Sequence, residues 1–520
     1  MQGGSELPAA PAATAADTAR SMTTDAGISV LAGAVLLVAD NVGTGVLALP
    51  GQAAVLGGHA AGATVIVIMA PLCWYMGHAL HRSATLIERR AILLNDAGMN
   101  GAGMQPPPQR VADFFGLAAA LYGRQHPIAR LTAFLYYLTL FLQMGSYLVV
   151  LSHALQAVVR TSSDMCRPVA SLASAALLLT VNQLPTFAAV ARGPAALSVV
   201  AILAVSAICV YFAGASAATP LDPLPPAPPA APPAPPDAPW FAALDGALRK
   251  AAATGGVLFA EATTVLLLNS RQALAQPEQI GTALALALAA MCAGFVGVVI
   301  GSGPAPPAFL FDAVPATGGD AAGGAWRRAT AVLLFGHVAI SYAISSVALC
   351  SAIQRRLHQQ LRGGQRPAVS DDTGSSTGGA DTDTDKPPRA GSMDAGTAVE
   401  AVGAGGGGGG GGGGAQRLEW FGLTTALMLS VWLLASAAPF FSGLVDLIGS
   451  LNLCTFFLPS LFLRRAHDLT RTPLPPWERA LTALLMGGSL CMTVVGVTGS
   501  IVDVVRAWGS YGLPFACHAG

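Results

Sequence analysis

Long runs of apolar residues alternate along this chain with short stretches rich in Pro, Gly and Arg. Eleven apolar blocks can be marked, at about residues 28–57, 60–87, 129–159, 168–188, 194–214, 244–270, 279–301, 328–353, 418–437, 440–463 and 479–506. About 20 residues of helix cross a hydrocarbon core of about 30 Å, which is the scale of these blocks. Within lipid every backbone N–H and C=O must be satisfied inside the segment, so an open chain crosses as helix. The pattern predicts an all-α polytopic membrane protein with about 11 transmembrane helices. The sixth block is interrupted by Gly255 and Gly256, and the ninth and tenth are divided only at Pro439.

The blocks divide the chain into a tail at 1–27, five spans over 28–214, a Pro-rich loop at 215–243, three spans over 244–353, a Gly-rich loop at 354–417, three spans over 418–506 and a second tail at 507–520. The Pro- and Ala-dominated loop predicts a semi-rigid polyproline II arm of about 3 Å per residue. The second loop holds Ser, Thr, Asp and the glycine run Gly405–Gly414, a flexible, disordered composition.

Positive charge sets the orientation. With the N-terminus in the cytosol, Lys and Arg favour the inner segments by roughly three to one, with clusters at Arg82, Arg89 and Arg90, at Arg355 and Arg356, and at Arg464 and Arg465. An N-in, C-out chain with an odd number of spans fits that bias. The Pro-rich loop then lies outside and the Gly-rich loop inside.

Composition agrees with the pattern. Of 520 residues 53% are hydrophobic and only 10% charged, with mean hydropathy +0.58, whereas a soluble protein carries about 25% charged residues. The net charge is zero and no basic stripe appears, which excludes nucleic acid as a partner. The eight cysteines are scattered, without C-x-x-C or metal-ligand spacing, and read as small apolar residues. The predicted topology leaves a Cys166–Cys517 disulfide open on the outer side. The first 26 residues lack the basic start and apolar core of a cleaved signal peptide, and their acidic residues disfavour a transit peptide. No N-x-[ST] sequon occurs.

The first span contains Asp40-Asn41-Val42-Gly43-Thr44-Gly45-Val46-Leu47-Ala48-Leu49-Pro50. Two glycines flank a threonine in mid-span, and Pro50 lacks the N–H that would reach back to Val46. The sixth span carries a parallel element, Thr254-Gly255-Gly256-Val257-Leu258-Phe259-Ala260-Glu261-Ala262-Thr263. Small residues also serve plain helix packing in membranes. Two interruptions five spans apart, however, are the pattern of a transporter built from inverted five-helix repeats. A broken helix offers N–H groups to a carboxylate and C=O groups to an ammonium or a cation, with the helix dipoles reinforcing both.

The stretch Gly43–Pro50 resembles the first-helix motif of the amino acid/auxin permease family, whose members are similar to the LeuT-type fold. Phe259-Ala260-Glu261-Ala262 resembles that family's sixth-helix Phe-x-Phe-Glu-Gly element, with alanine in place of its second aromatic and of its glycine. Asn269 followed by Gln276-Pro277, Leu184-Pro185 with Ser198, and Gly449-Ser450-Leu451 with Leu458-Pro459-Ser460 resemble further family elements. The resemblance spans most of the chain except the tail and the two low-complexity loops. It implies a substrate site at Asn41, Val42, Gly43, Thr44 and Gly45 and at Phe259, Ala260, Glu261 and Thr263, with Tyr147 and Gln143 closing one wall. Small neutral amino acids would be carried, with H+ coupling expected and Na+ as the alternative.

Ionisable groups within spans are costly and point to function. Asp40 and Glu261 flank the two interruptions and are the candidate ion-coupling carboxylates; the eighth span offers Ser341, Ser345 and Ser346, of which the adjacent pair Ser345 and Ser346 is the candidate for hydroxyl ligation of Na+. Asp446 and Asp503 lie near span ends and are expected to face headgroups or loops. His78, His81, His153 and His337 read as packed or interfacial histidines. No catalytic constellation is visible: there is no intramembrane His–Asp pair or metal cluster, and Gly301-Ser302-Gly303 has no His nearby. The expectation is a multi-pass secondary transporter of amino acids in the plasma or vacuolar/lysosomal membrane, without an organic cofactor. A polytopic membrane enzyme, or a channel or sensor on a transporter scaffold, are the alternatives.

Overall fold

The computed structural model describes residues 27–96, 111, 113–159, 165–183, 190–191, 193–218, 239–315, 321–364, 412–437 and 441–511. Apart from an isolated bridge and short 3-10 turns, the secondary structure of these residues is helical. The helices are α1 Val30–Asn41, α2 Gly45–Leu56, α3 His59–Asp96, α4 Phe114–Tyr122, α5 Pro127–Val159, α6 Arg167–Val181, α7 Pro194–Ala218, α8 Pro239–Glu261, α9 Thr264–Ala273, α10 Ile280–Gly301, α11 Ala321–Gly364, α12 Gly412–Ala437, α13 Phe441–Ser450, α14 Phe457–Thr470 and α15 Pro476–Tyr511.

Eight helical segments are long and apolar enough to cross a membrane. Two bent pairs raise the number to 10: α1 with α2, bent by 57°, and α13 with α14, bent by 40°. The protein is therefore integral to a membrane. Every expected span has a helical counterpart, but the one expected at 168–188 is α6, only 15 residues. At 1.5 Å per residue it covers about 22 Å, short of a full crossing. Residues 184–189 lie outside the described ones, as do the two tails at 1–26 and 512–520, most of the Pro-rich loop and most of the Gly-rich loop.

Several helices run past the expected boundaries. α11 continues to Gly364 because Ala-Ile-Gln-Arg-Arg-Leu-His-Gln-Gln-Leu-Arg is built of good helix formers. α3 continues to Asp96 for a similar reason. Helix α4 forms between the second and third apolar blocks, where no element was expected. Asp113 caps it, accepting from Gly116 N at 2.7 Å, and also takes Arg355 of α11 at 2.5 Å.

The turn between α2 and α3 is only Gly57-Gly58, at φ of 121° and 108°, a conformation that a side chain would strain. Ion pairs occur at both ends of the bundle, and the end that carries the starts of α1 and α5 is here called the basic end. Arg271 of α9 makes a bidentate pair with Glu88 of α3 at 2.8 and 2.6 Å, and Arg82 bonds Glu478 at 2.6 Å. At the same end Ile28 N donates to Ala273 O at 2.8 Å and Ala275 N donates to Ile28 O at 3.0 Å, tying the entry of α1 to the exit of α9. Asp503, at the opposite end, pairs with Arg249 at 3.7 Å.

Gly255 and Gly256 do not interrupt the sixth span, contrary to the sequence reading. α8 runs through them and ends at Glu261, and the interruption falls at Ala262-Thr263. The glycines instead allow helices to cross. A Cβ on Gly449 of α13 would drive into the Gly255 carbonyl, and one on Gly256 would lie 2.5 Å from Asp446 Oδ1 and 2.9 Å from Gln52 Nε2. Asp446 is accordingly buried, not headgroup-facing: it accepts a 2.7 Å bond from Gln52, which links α13 to α2 across the Gly256 face of α8.

Candidate functional site

The first break follows from local chemistry. Asn41 ends α1 by turning its side chain back, Nδ2 donating to Leu37 O at 2.8 Å, which competes with continued helix. Val42-Gly43-Thr44 form the bend, and Gly45 opens α2. Asp40, Asn41, Val42, Gly43, Thr44 and Gly45 are all buried.

Two helices hold this break. Tyr147 of α5 donates from its hydroxyl to Asp40 O at 3.0 Å, and Gln143 Nε2 donates to that hydroxyl at 2.6 Å. A Cβ on Gly43 would sit 3.4 Å from the Tyr147 ring, so the ring lies flush against the break. From α11, Ser341 Oγ donates to Ala39 O at 2.8 Å and Ser345 Oγ to Asp40 Oδ1 at 3.4 Å. Two of the carbonyls near the end of α1 thus already accept from protein hydroxyls.

Ser345 reaches the break and Ser346 does not: its hydroxyl faces Cys350 Sγ at 3.9 Å on its own helix. Neighbouring positions on an α-helix point about 100° apart. The hydroxyl pair facing α1 is therefore Ser341 with Ser345, one turn apart.

The second break touches the first. A Cβ on Gly45 would lie 3.0 Å from Cα and Cβ of Ala260 and 3.4 Å from the Phe259 ring. Glu261 is 1% exposed, and neither carboxylate oxygen has a hydrogen-bond partner. Its electrostatic neighbours are Cys73 on α3 and Cys292 on α10, which places the carboxylate on the α3–α10 side of the break. Asp40, at the other break, is in contact with α11.

Thr44, Thr263 and Thr264 also have buried hydroxyls without a partner. A buried polar group left unpaired costs about 1–3 kcal/mol. Here such groups gather at two adjoining helix breaks. The ends of α1 and α8 carry negative dipole ends, and the starts of α2 and α9 carry N–H groups. That arrangement suits a small zwitterion. Among the described residues no group of three or more His, Cys, Asp or Glu could hold a metal ion.

Sequence reading missed two features. Gln52 and Asp446 lie 394 positions apart and no local pattern joins them. His337 is fully buried and meets Ser198 of α7 at 2.7 Å, whereas the sequence shows only a lone histidine. Cys166 is disulfide-bonded, unlike the apolar reading given to the cysteines; Cys517, the partner the topology left open, lies outside the described residues.

No individual curated protein matches the chain. The family model for transmembrane amino acid transporter proteins matches residues 26–505, nearly the whole length and both breaks. With a helical bundle of eight to 10 candidate spans behind that match, the chain belongs to the transmembrane amino acid transporter protein family.

Proposed function

We propose that this transporter is a secondary active carrier of small neutral amino acids, coupled to H+, with the substrate held between the α1–α2 and α8–α9 breaks. One observation carries the reading: the breaks adjoin at Gly45 and Ala260, and the unpartnered polar atoms of Thr44, Glu261, Thr263 and Thr264 collect there. The substrate carboxylate meets N–H groups at the starts of α2 and α9, and its ammonium meets the ends of α1 and α8. Tyr147 and Phe259 bound the site and favour short side chains. The five-span separation of the breaks supports an inverted-repeat architecture in which one bundle rocks about a fixed site.

Glu261 is the coupling group in this reading. A carboxylate in a span with no partner is costly when charged, and taking up a proton relieves that cost. The basic end of the bundle is cytosolic by the distribution of Arg, and the Cys166 disulfide at the opposite end suits an oxidising compartment. Plasma membrane and vacuolar or lysosomal membrane both satisfy that orientation.

A second reading, coupling to Na+, is favoured by the oxygens of Ser341, Ser345, Ala39 and Asp40 gathered at the first break. Uptake of a panel of labelled amino acids into proteoliposomes, under separate pH and Na+ gradients, tests both. Accumulation under the pH gradient alone supports the first reading, and accumulation under Na+ alone supports the second. Equilibration without accumulation identifies a channel, and turnover without any gradient an enzyme.

A further inference from the structure

The helix that leaves the second break is sheathed by protein. Every residue of α9 from Thr264 through Arg271 is buried. A helix that lines an open water path shows one face to it, so the way from the breaks to the basic end is closed along α9. α9 packs on α1 and α3, and two ties bind the three into one body. These are the Ile28 backbone bonds to Ala273 and Ala275 and the Arg271–Glu88 pair. α5 and α11 pack along each other as a second body, and Asp113, which caps α4, takes Arg355 of α11. Glu88 also accepts from Val111 N at 2.9 Å, so the strap into α4 touches both bodies.

Between the bodies, Tyr136 of α5 donates from its hydroxyl to Asn269 Oδ1 of α9 at 3.1 Å. The two residues are 0% and 5% exposed. Tyr136 lies about three turns before Tyr147, toward the basic end. Phe114 of α4 stacks on its ring, with centroids 5.7 Å apart, and Phe462 of α14 lies 6.2 Å behind Phe114. The ring is thus set from the α5 side, while Asn269 travels with α9. The bonds that Tyr147, Ser341 and Ser345 make to α1 sit at the first break itself. When one body rocks about a site fixed there, those bonds lie near the pivot, whereas the Tyr136–Asn269 bond lies away from it and must part. A bond serving only as glue would join helices of one body. Parting hydrates both groups, and a hydrogen bond exchanged for water is worth little net, so this one holds the closed form without locking it.

We infer that Tyr136 and Asn269 are the gate between the proposed substrate site and the basic end. The inference rests on that site and adds to it the contact that opens for substrate to leave.

The test measures the rate at which a small water-soluble maleimide modifies single introduced cysteines in the purified full chain, each compared with the same chain lacking that cysteine. Val265→Cys is the inner reporter, one turn from Asn269 on the same face of α9 and 5% exposed. Leu49→Cys is the outer reporter, one turn beyond Gly45 on α2 and 1% exposed. Tyr136→Phe keeps the ring and its stack but leaves the Asn269 oxygen buried without its donor, which favours the open form about 5- to 150-fold. Modification of V265C should rise at least about fivefold in Y136F while L49C stays within about twofold. No rise at V265C, or an equal rise at both reporters, overturns the inference, the second result marking the bond as plain glue. Asn269→Leu, which orphans the Tyr136 hydroxyl instead, must give the same pattern; loss of folded protein in both variants also overturns the gate. Labelled alanine binding to the wild type is measured alongside. Binding with an unmoved V265C removes the gate alone, and no binding removes the proposed site and the gate with it.

Discussion

Replacing Gly45 by alanine adds one methyl group where the two breaks meet. The new Cβ would sit 3.0 Å from both Cα and Cβ of Ala260, where ordinary contact is 3.4–4 Å. Relief requires α2 and α8 to separate by several tenths of an ångström, because the opposing atoms belong to a backbone and a Cβ that cannot rotate away. Overpacking of this kind costs about 1–3 kcal/mol. If that strain falls on the substrate-bound form, affinity drops about 5- to 150-fold. Gly43→Ala is the matched comparison. Its Cβ would meet Asp40 O at 3.2 Å and the Tyr147 ring at 3.4 Å, and the side-chain ring can give. Initial uptake rates normalised to surface protein should fall steeply for Gly45→Ala and by less than about threefold for Gly43→Ala, below 1 kcal/mol. Equal uptake by Gly45→Ala and the wild type, or a larger loss for Gly43→Ala, would refute the claim that the breaks form one site at this contact.

Glu261→Gln, which keeps shape but cannot titrate, should spare amino acid exchange and abolish accumulation under a pH gradient; undiminished accumulation would remove Glu261 from coupling. Asp446→Ala leaves the Gln52 amide buried beside Gly256 without its acceptor, so the purified protein should lose about 1–3 kcal/mol of stability, read as a lower melting midpoint in detergent, whereas Asp446→Asn should recover part of the loss. An engineered glycosylation sequon should be modified within residues 215–239 and ignored within 357–417; the reverse result inverts the orientation, and modification of both changes the number of spans.

The helical bundle was legible because lipid leaves an apolar run of this length little alternative to helix, and the first break because Gly-Thr-Gly weakens a helix locally; Pro50, the other expected weak point, lies inside α2 without interrupting it. The second break had a misleading signal. Gly255 and Gly256 look like an interruption, yet tertiary packing against Gly449 and Asp446 keeps them helical at a propensity cost of about 1 kcal/mol each. The actual interruption, Ala262-Thr263, contains neither glycine nor proline. The choice between Ser341 and Ser346 was available in the sequence, since 3.6 residues per turn puts Ser341 and Ser345 on one face. The burial of Asp446 was not available, because its partner Gln52 is 394 positions away. Helix α4 announced itself only by an Asp113 cap and nine residues, too few to stand out from the segment around it.

The central claim is that the orphaned hydroxyls at the two breaks are ligand groups, and their removal tests it directly. Thr44→Val and Thr263→Val each delete a buried hydroxyl that has no protein partner, as does Thr132→Val on α5, away from the breaks. Equilibrium binding of labelled alanine to the purified protein should weaken about 10- to 150-fold for a break hydroxyl that bonds a charged substrate group, a loss of about 1.5–3 kcal/mol. Thr132→Val should bind as the wild type does. Unchanged affinity in both break variants, or an equal loss in all three, would contradict the account.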